Sequence, residues 1–478
     1  MPRRRFRVRT ARIATELAEL RARMEIPDAF PQAVLDEADR AVRAPGLPEH
    51  DATDLPLFTI DPPESLDLDQ AMHLERRGSG FRVHYAIADV GAFVAPGGLL
   101  DAEARRRVET LYFPDRRVPL HPPQFSEGAA SLLPGQPAPA LLWRLDLDAD
   151  GALVRTDLRR ALVRSRRRLD YATAQRAIDN GSADESLALL GVVGPLREQQ
   201  ERERGGISLP IPEQEVEEVR GGYALAYRAP RPADGWNAQI SLLTGMAAAA
   251  LMLDAGIGLL RTLPSAPPAA YARLRLVARA LDVPWPQEQP YPQLIRSLDP
   301  ALPAHAAFLN ECTGLLRGAG YTAFDGTPPT DPGHAAVAAP YTHCTAPLRR
   351  LADRFTGELC AALVDGGPVP DWLREALPLL PKLMETGDRR AHEVERACVD
   401  LIEAELLRGR EGDLFDAVVV DVDERRPLTG TVQLRRPAVR ARIADDRADA
   451  PPLPLGTRIR VRLTTADPAA RTVRFAPA

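Results

Sequence analysis

The segment Thr59-Ile60-Asp61-Pro62-Pro63-Glu64-Ser65-Leu66-Asp67-Leu68-Asp69-Gln70-Ala71 places three aspartates in a proline-containing loop between two apolar runs. Hard oxygen ligands at that density suit Mg2+ or Mn2+, which take carboxylates together with water and substrate phosphate. In an extended backbone the i, i+2 pair Asp67 and Asp69 points to one side while Leu68 anchors the other. Asp61 reaches the same ion across the loop. A calcium loop does not fit the spacing. Counting from Asp67 puts Ala71 where a third ligand belongs, and counting from Asp61 puts Met72 where the bidentate glutamate belongs. On composition alone a solvated acidic loop is the plain alternative.

These residues need a framework, and the hydrophobic pattern supplies one. Ile13, Leu17, Leu20 and Met24 recur on one helical face, and Ala33 to Val42 follows a proline-containing turn, so a two-helix appendage is expected over residues 1–54. Strands are expected at Leu57–Ile60, Ala71–Leu74 and Phe81–Val90, the last two joined by Gly78-Ser79-Gly80, and again at Leu141–Leu147 and Leu153–Val163. Helical periodicity then runs from about Tyr171 to Arg408, which makes residues 55–410 a mixed α+β body. Residues 411–478 change character: five short strands are expected, at 416–422, 430–434, 439–443, 457–463 and 472–475. In the fourth, Arg458, Arg460 and Arg462 alternate with Ile459, Val461 and Leu463, giving one basic and one apolar face. Five strands in a basic module predict an OB-type barrel that holds single-stranded nucleic acid. A sandwich-like cap with a solvated face is the alternative.

Composition excludes whole classes of function. The 61 basic residues include one lysine, Lys382, which follows Pro381, so there is no phosphate loop of the G-x-x-x-x-G-K-[ST] type. A kinase strand lysine or a Schiff-base lysine would have to be that same residue, and no nucleotide cofactor is expected. Every cation that grips a phosphate must be a guanidinium, which binds it bidentately. Net charge of -5 argues against coating of nucleic acid by the whole surface and leaves room for a local basic channel. The four cysteines, Cys312, Cys344, Cys360 and Cys398, form no C-x-x-C pair and fit a reducing cytoplasm. Met1 to Arg12 carries six arginines and no apolar core of a secretory signal, so it reads as a basic arm. Ala238–Leu260 is apolar but holds Gln239, Ser241, Thr244 and Asp254, so a buried helix is expected there and no membrane span. His392-Glu393 lacks the second histidine of a zincin helix, because Arg396 stands in its place. His334 and His343 have no ligand-spaced partners, and no G-x-S-x-G elbow occurs.

The aspartate segment closely resembles the catalytic signature of the ribonuclease II and ribonuclease R family, the RNB domain. The likeness continues in order through Tyr85-Ala86-Ile87-Ala88-Asp89-Val90, Tyr112-Phe113-Pro114-Asp115-Arg116, Val118-Pro119-Leu120, Ser131-Leu132 and Arg168-Leu169-Asp170-Tyr171. A second signature is similar to Tyr341-Thr342-His343-Cys344-Thr345-Ala346-Pro347-Leu348-Arg349-Arg350-Leu351-Ala352-Asp353, and coverage runs from about Leu55 to Leu407. The resemblance implies a processive, hydrolytic 3'-to-5' exoribonuclease that takes single-stranded RNA to nucleoside 5'-monophosphates. It implies that Asp61, Asp67 and Asp69 bind the divalent metal, Mg2+ or Mn2+, with Asp69 tied most directly to the chemistry. It implies further that Tyr112 clamps the 3'-terminal nucleotide, that Arg349 polarises the scissile phosphate, with Arg350 beside it on RNA, and that Glu395 orients the terminal nucleotide. Physical chemistry agrees: in-line hydrolysis needs an activated water and neutralised leaving-group charge, and a guanidinium adds bonds worth roughly 1.5 to 3 kcal/mol each.

Two departures stand out. The family has a fourth aspartate where this chain has Gln70, whose carbonyl can ligate a metal but brings no charge; Glu64 is a candidate substitute. Large members carry cold-shock barrels ahead of the body, and about 54 residues cannot hold them, so a compact form is expected, with a weaker grip on RNA and shorter processive runs. The expectation is a monomeric cytoplasmic exoribonuclease. A different class, an RNA-binding or regulatory protein on a weakened RNB body, is carried beside it.

Overall fold

The computed structural model describes residues 6–478 apart from 9–10, 212, 220–221, 424, 435–436, 438 and 448–449. The basic arm therefore lies largely outside the described residues. The architecture is mixed α+β, as expected, and is organised around two closed five-stranded barrels.

In the first barrel the strands Leu57–Ile60, Gln70–Arg77, Gly80–Ala88, Pro137–Leu147 and Leu153–Leu169 follow one another in sequence order. Neighbours pair antiparallel, and the ring closes through a parallel pairing of Leu57–Ile60 with Ser165–Leu169. Arg77 pairs with Gly80 across a two-residue turn in which Gly78 takes φ 59°, a left-handed conformation that glycine adopts at no steric cost. Every segment expected from the sequence is present as a strand, with Ala71–Leu74 and Leu153–Val163 extended to Arg77 and Leu169 and Phe81–Val90 ending at Ala88. Closure is not foreseen by the sequence, because the closing pair joins segments about a hundred residues apart and leaves no local pattern.

Helix Pro232–Ala255 packs on this barrel, with Ile240, Leu243, Ala247, Ala248, Ala249 and Met252 buried in the same core as Trp143 and Tyr85. It is long and apolar enough to cross a membrane by length and composition. The second-signature helix, Leu351–Val364, and the long helix Leu380–Leu407 complete that side. Between Tyr171 and Arg408, where helical periodicity is expected to dominate, the described residues also form three strand pairs, Glu213–Val219 with Gly222–Arg228, Ile257–Thr262 with Gly320–Asp325 and Gly333–His334 with Ala339–Pro340. Ile257–Thr262 is a short apolar run directly after Gly256, which ends the preceding helix in the left-handed conformation; so short a run does not show by its period whether it is strand or helix.

The N-terminal helices, Ala11–Arg23 and Gln32–Arg43, join two different cores. Ile13, Leu17 and Leu20 pack with Leu111, Phe113 and the face Val394–Ile402 of the long helix, whereas Val34 and Ala38 pack with Leu57, Leu68 and Phe125. The second barrel comprises Leu414–Asp423, Arg426–Leu434, Arg440–Ala444, Arg458–Asp467 and Thr472–Pro477. All five expected strands are present, and one pairing, Arg442–Ile443 with Arg474–Phe475, is parallel. Val461 and Leu463 are buried and Arg458, Arg460 and Arg462 exposed, as the alternation requires.

Candidate active site

Asp61 follows the all-buried strand Leu57–Ile60, and its N–H donates to the carbonyl of Leu169 at 3.0 Å. Arg168 caps the proline turn by donating to the carbonyls of Pro62 and Pro63. The loop is then pinned by Ser131, whose Oγ accepts from the N–H of Leu68 at 2.9 Å and donates to the carbonyl of Leu66 at 2.6 Å. Leu68 is fully buried among Phe125, Leu132 and Leu348. That anchoring leaves Asp67 and Asp69 on the opposite side of the backbone, and Gln70 opens the next strand.

The second signature is held against the first by equally specific contacts. Gly245 lets helix Pro232–Ala255 approach it, since a Cβ there would lie 2.2 Å from the Tyr341 ring. Thr342 donates from Oγ1 to the carbonyl of Leu259 at 2.6 Å, and His343 Nδ1 lies 2.6 Å from the hydroxyl of Tyr321. Thr345 meets Ser241 hydroxyl to hydroxyl at 2.7 Å, and Gln70 Nε2 donates to the carbonyl of Thr345. Buried Asp353 accepts from the Ala346 N–H at 2.7 Å and binds Arg350 with both oxygens. The turn so fixed aims two donors at Asp69: the N–H of Leu348 to Oδ1 at 2.8 Å and Arg349 Nε to Oδ2 at 3.1 Å. Residues 280 apart in sequence thus share one ion pair.

Asp69 is 3% exposed, and burial pushes its carboxyl up to about 8, with Asp67 and Asp353 adding repulsion that Arg349 and the Leu348 N–H only partly offset. Burial likewise raises Asp61 to about 6, against the pull of Arg349. Asp67 pairs with Arg117, whose other Nη lies 2.8 Å from Glu127 Oε1. Among the described residues no group of three or more acidic, histidine or cysteine side chains is disposed as a metal cage. Asp67 and Asp69 instead face guanidinium groups. The donor set still fits a hard divalent ion in kind, because carboxyls forced toward their protonated forms by burial and mutual repulsion are stabilised by an added cation.

Tyr112, 40% exposed, lies on the short strand Leu111–Tyr112, which pairs with Arg117–Val118. This ribbon is tied to the second signature by the Thr110 N–H, which donates to the carbonyl of Arg349 at 2.9 Å. At its tip Arg21 binds Asp115 at 2.7 Å. Glu395 is half-buried on the long helix, next to Val394, which packs against Leu111 and Phe113. Arg350 does not join the carboxylate site: it is turned onto Asp353, between Tyr321 and Tyr341. Arg458, Arg460 and Arg462 lie on the second barrel, where Arg458 pairs with Asp282, Arg460 lies 4.0 Å from Asp416 and Arg462 donates to the carbonyl of Gly412. Sequence reasoning missed Arg117, the Leu348 N–H, the bracing role of Ser131 and that of Asp353. For Asp353 a signal existed in its spacing of three from Arg350, which places the two side chains together at a helix start.

Comparison with known proteins bears on the family and the fold. The RNB domain family matches residues 49–365, and the RNase II-type exonuclease C-terminal S1 domain matches residues 413–478. Ribonuclease R of Escherichia coli strain K12 is 28% identical over 440 residues, covering 83% of this chain and 52% of that protein. The human exosome complex exonuclease RRP44 is 28% identical over 332 residues, covering 66% of this chain and 34% of its own length. The chain spans about half the length of the curated ribonuclease R sequence it matches. Among solved structures, the apo form of Mycoplasma genitalium RNase R superposes with a TM-score of 0.81 at 19% identity, covering 97% of this chain and 78% of that one. Yeast Ssd1, described as a pseudonuclease, superposes with a TM-score of 0.65 at 18% identity over 84% of this chain and 52% of that one.

Proposed function

The chain belongs to the RNB family, and from that premise we propose that it is a hydrolytic, metal-dependent exoribonuclease that degrades single-stranded RNA from its 3' end to nucleoside 5'-monophosphates. The observation that carries the reading is the convergence of both signatures on Asp69, which is buried, bonded to Arg349 and to the Leu348 N–H, and flanked by two further aspartates.

In this reading Tyr112 stacks on the terminal base, a contact worth about 1 to 3 kcal/mol per base. Arg349 holds a nonbridging oxygen of the scissile phosphate, and Glu395 orients the terminal ribose from the long helix. Water attacks phosphorus in line, the bond from phosphorus to the 3'-oxygen breaks, and that oxygen gains a proton as the monophosphate leaves. Asp69 orients the attacking water, and its fixed bonds to Leu348 and Arg349 keep its carboxylate from rotating out of line. Asp61, Asp67 and Asp69 would hold Mg2+ or Mn2+, which supplies neutralisation of the charge that develops on the phosphate oxygens.

The test is a time course of 5'-labelled single-stranded RNA with Mg2+, Mn2+ or EDTA, beside Asp69→Asn. The expected result is metal-dependent shortening to a small end product, with the variant silent but still binding RNA. An Asp69→Asn protein as fast as wild type would overturn the site assignment. A second reading, RNA binding without turnover, is favoured by one observation: Gln70 donates to Thr345 and contributes no fourth carboxylate. Intact RNA that is nonetheless bound by the wild-type protein would decide for it.

A further inference from the structure

The ribbon that carries Tyr112 also carries a cation that none of the roles above uses. Arg117 stands directly across from Tyr112 in the strand register. Its side chain is 21% exposed, and its two terminal nitrogens are divided between Asp67 and Glu127. Glu127 comes from the π-helical turn Phe125–Ala129, the segment that leads to Ser131 and so to the pinned aspartate loop. One guanidinium therefore borders the stacking ring, the carboxylate loop and solvent at once.

We propose that Arg117 is a second phosphate ligand of the site, taking the substrate phosphate beside the base stacked on Tyr112. The inference rests on the exoribonuclease reading and adds to it. Asp67 belongs to the proposed cation-binding set, so the carboxylate that neutralises Arg117 in the free protein has a second claimant. A phosphate is the substrate's own replacement for it: like a carboxylate, it offers a guanidinium two oxygens at matching spacing. Glu127 keeps the side chain extended toward that position before RNA arrives, which lowers the ordering cost of binding. With Arg349 paired to Asp69, two residues along the same loop from Asp67, an entering strand meets two guanidinium groups beside one aromatic ring.

The test uses the full-length chain with Asp69→Asn, which binds without turnover, and measures affinity for a 5'-labelled single-stranded oligonucleotide between about 50 and 200 mM salt. Adding Arg117→Gln is expected to weaken binding about tenfold and to reduce the slope of log affinity against log salt by about 0.7, the value of one phosphate contact on a single strand. Arg117→Lys is expected to keep the slope while recovering part of the affinity. Glu127→Gln, whose amide oxygen still accepts from Arg117 and keeps it extended while the competing charge is gone, is expected to bind RNA at least as tightly as its parent. Unchanged affinity and slope in a folded Arg117→Gln protein would overturn the proposal and leave a bracing salt bridge. Equal weakening by Glu127→Gln and Arg117→Gln would overturn it too, since both then merely support the ribbon. An Asp69→Asn chain that binds no RNA overturns the parent reading, and the role of Arg117 with it.

Discussion

Gln70 stands where a fourth carboxylate would complete the acidic run, and its amide is committed to the second signature through the carbonyl of Thr345. The sequence alone suggests that Gln70→Asp restores a missing ligand and raises activity. The structure reverses that expectation. Aspartate cannot donate to the carbonyl, is one methylene shorter, and adds a negative charge beside Asp69, whose carboxyl burial already holds near 8. Leaving a buried carbonyl unpaired costs about 1 to 3 kcal/mol. Gln70→Asp is therefore expected to lower kcat roughly tenfold, since 1.4 kcal/mol is a factor of ten, with RNA affinity nearly unchanged; a rise in kcat would show that a missing metal ligand limits the enzyme. The three aspartates stood out by residue type and spacing, Arg349 and Tyr112 only through the family resemblance. Arg117 did not stand out, because its partners Asp67 and Glu127 lie 50 and 10 residues away and meet only in the folded ribbon. The Leu348 N–H has no side-chain signal at all.

At the scale of elements, the aspartate loop is positioned by a neighbour that does no chemistry. Ser131 makes two hydrogen bonds to the backbone of Leu66 and Leu68, so Ser131→Ala removes the partner of the buried Leu68 N–H and of the part-buried Leu66 carbonyl. The expected cost is about 1 to 3 kcal/mol of stability, read as a lower urea midpoint, together with a fall in kcat at unchanged KM, because the loop holds the reacting groups and not the strand. A second element-scale property concerns acid. His121 is buried, edge-on to the Phe125 ring at 5.0 Å, and burial together with Arg354 and Arg107 pushes its pKa down to about 3, while Asp101 and a bond to the Pro347 backbone pull the other way. The unfolded chain therefore takes up the proton first. Stability conferred by the neutral ring is complete above the unfolded value of about 6.5 and is lost as pH falls from there toward about 3, a total of at most about 5 kcal/mol. Buried His334 and His343 act in the same direction. His121→Gln should flatten, without abolishing, the decline of the urea midpoint between pH 6.5 and 4; the same slope as wild type would remove His121 from the account.

The whole molecule sets the candidate site on a loop between two strands of one closed barrel and places a second closed barrel beside it, and the two were not equally legible. The C-terminal barrel could be read strand by strand, because Arg440–Ala444 and the first half of Arg458–Asp467 alternate and proline and glycine punctuate the segments between strands. The first barrel showed its strands but not its closure, and the strand pair Ile257–Thr262 with Gly320–Asp325 was hidden by the intervening helices. The barrels are connected through the long helix, whose Leu407 enters the second core, and through Val418 and Val420, which pack with the helices between Pro268 and Cys312. Arg458 reaches the same helical insert through Asp282, so the basic strand faces outward along the seam between the two parts. If RNA passes over that strand on its way to Tyr112, its three exposed arginines each displace counterions from the strand's phosphates. The combined variant Arg458→Gln, Arg460→Gln, Arg462→Gln should then reduce the salt slope of RNA binding by about 2, three contacts at about 0.7 each, while trimming of a two- or three-nucleotide RNA proceeds at the wild-type rate because so short a strand does not extend to the second barrel. A slope that stays unchanged would take this strand off the RNA path and leave its arginines to the ion pairs with Asp282 and Asp416.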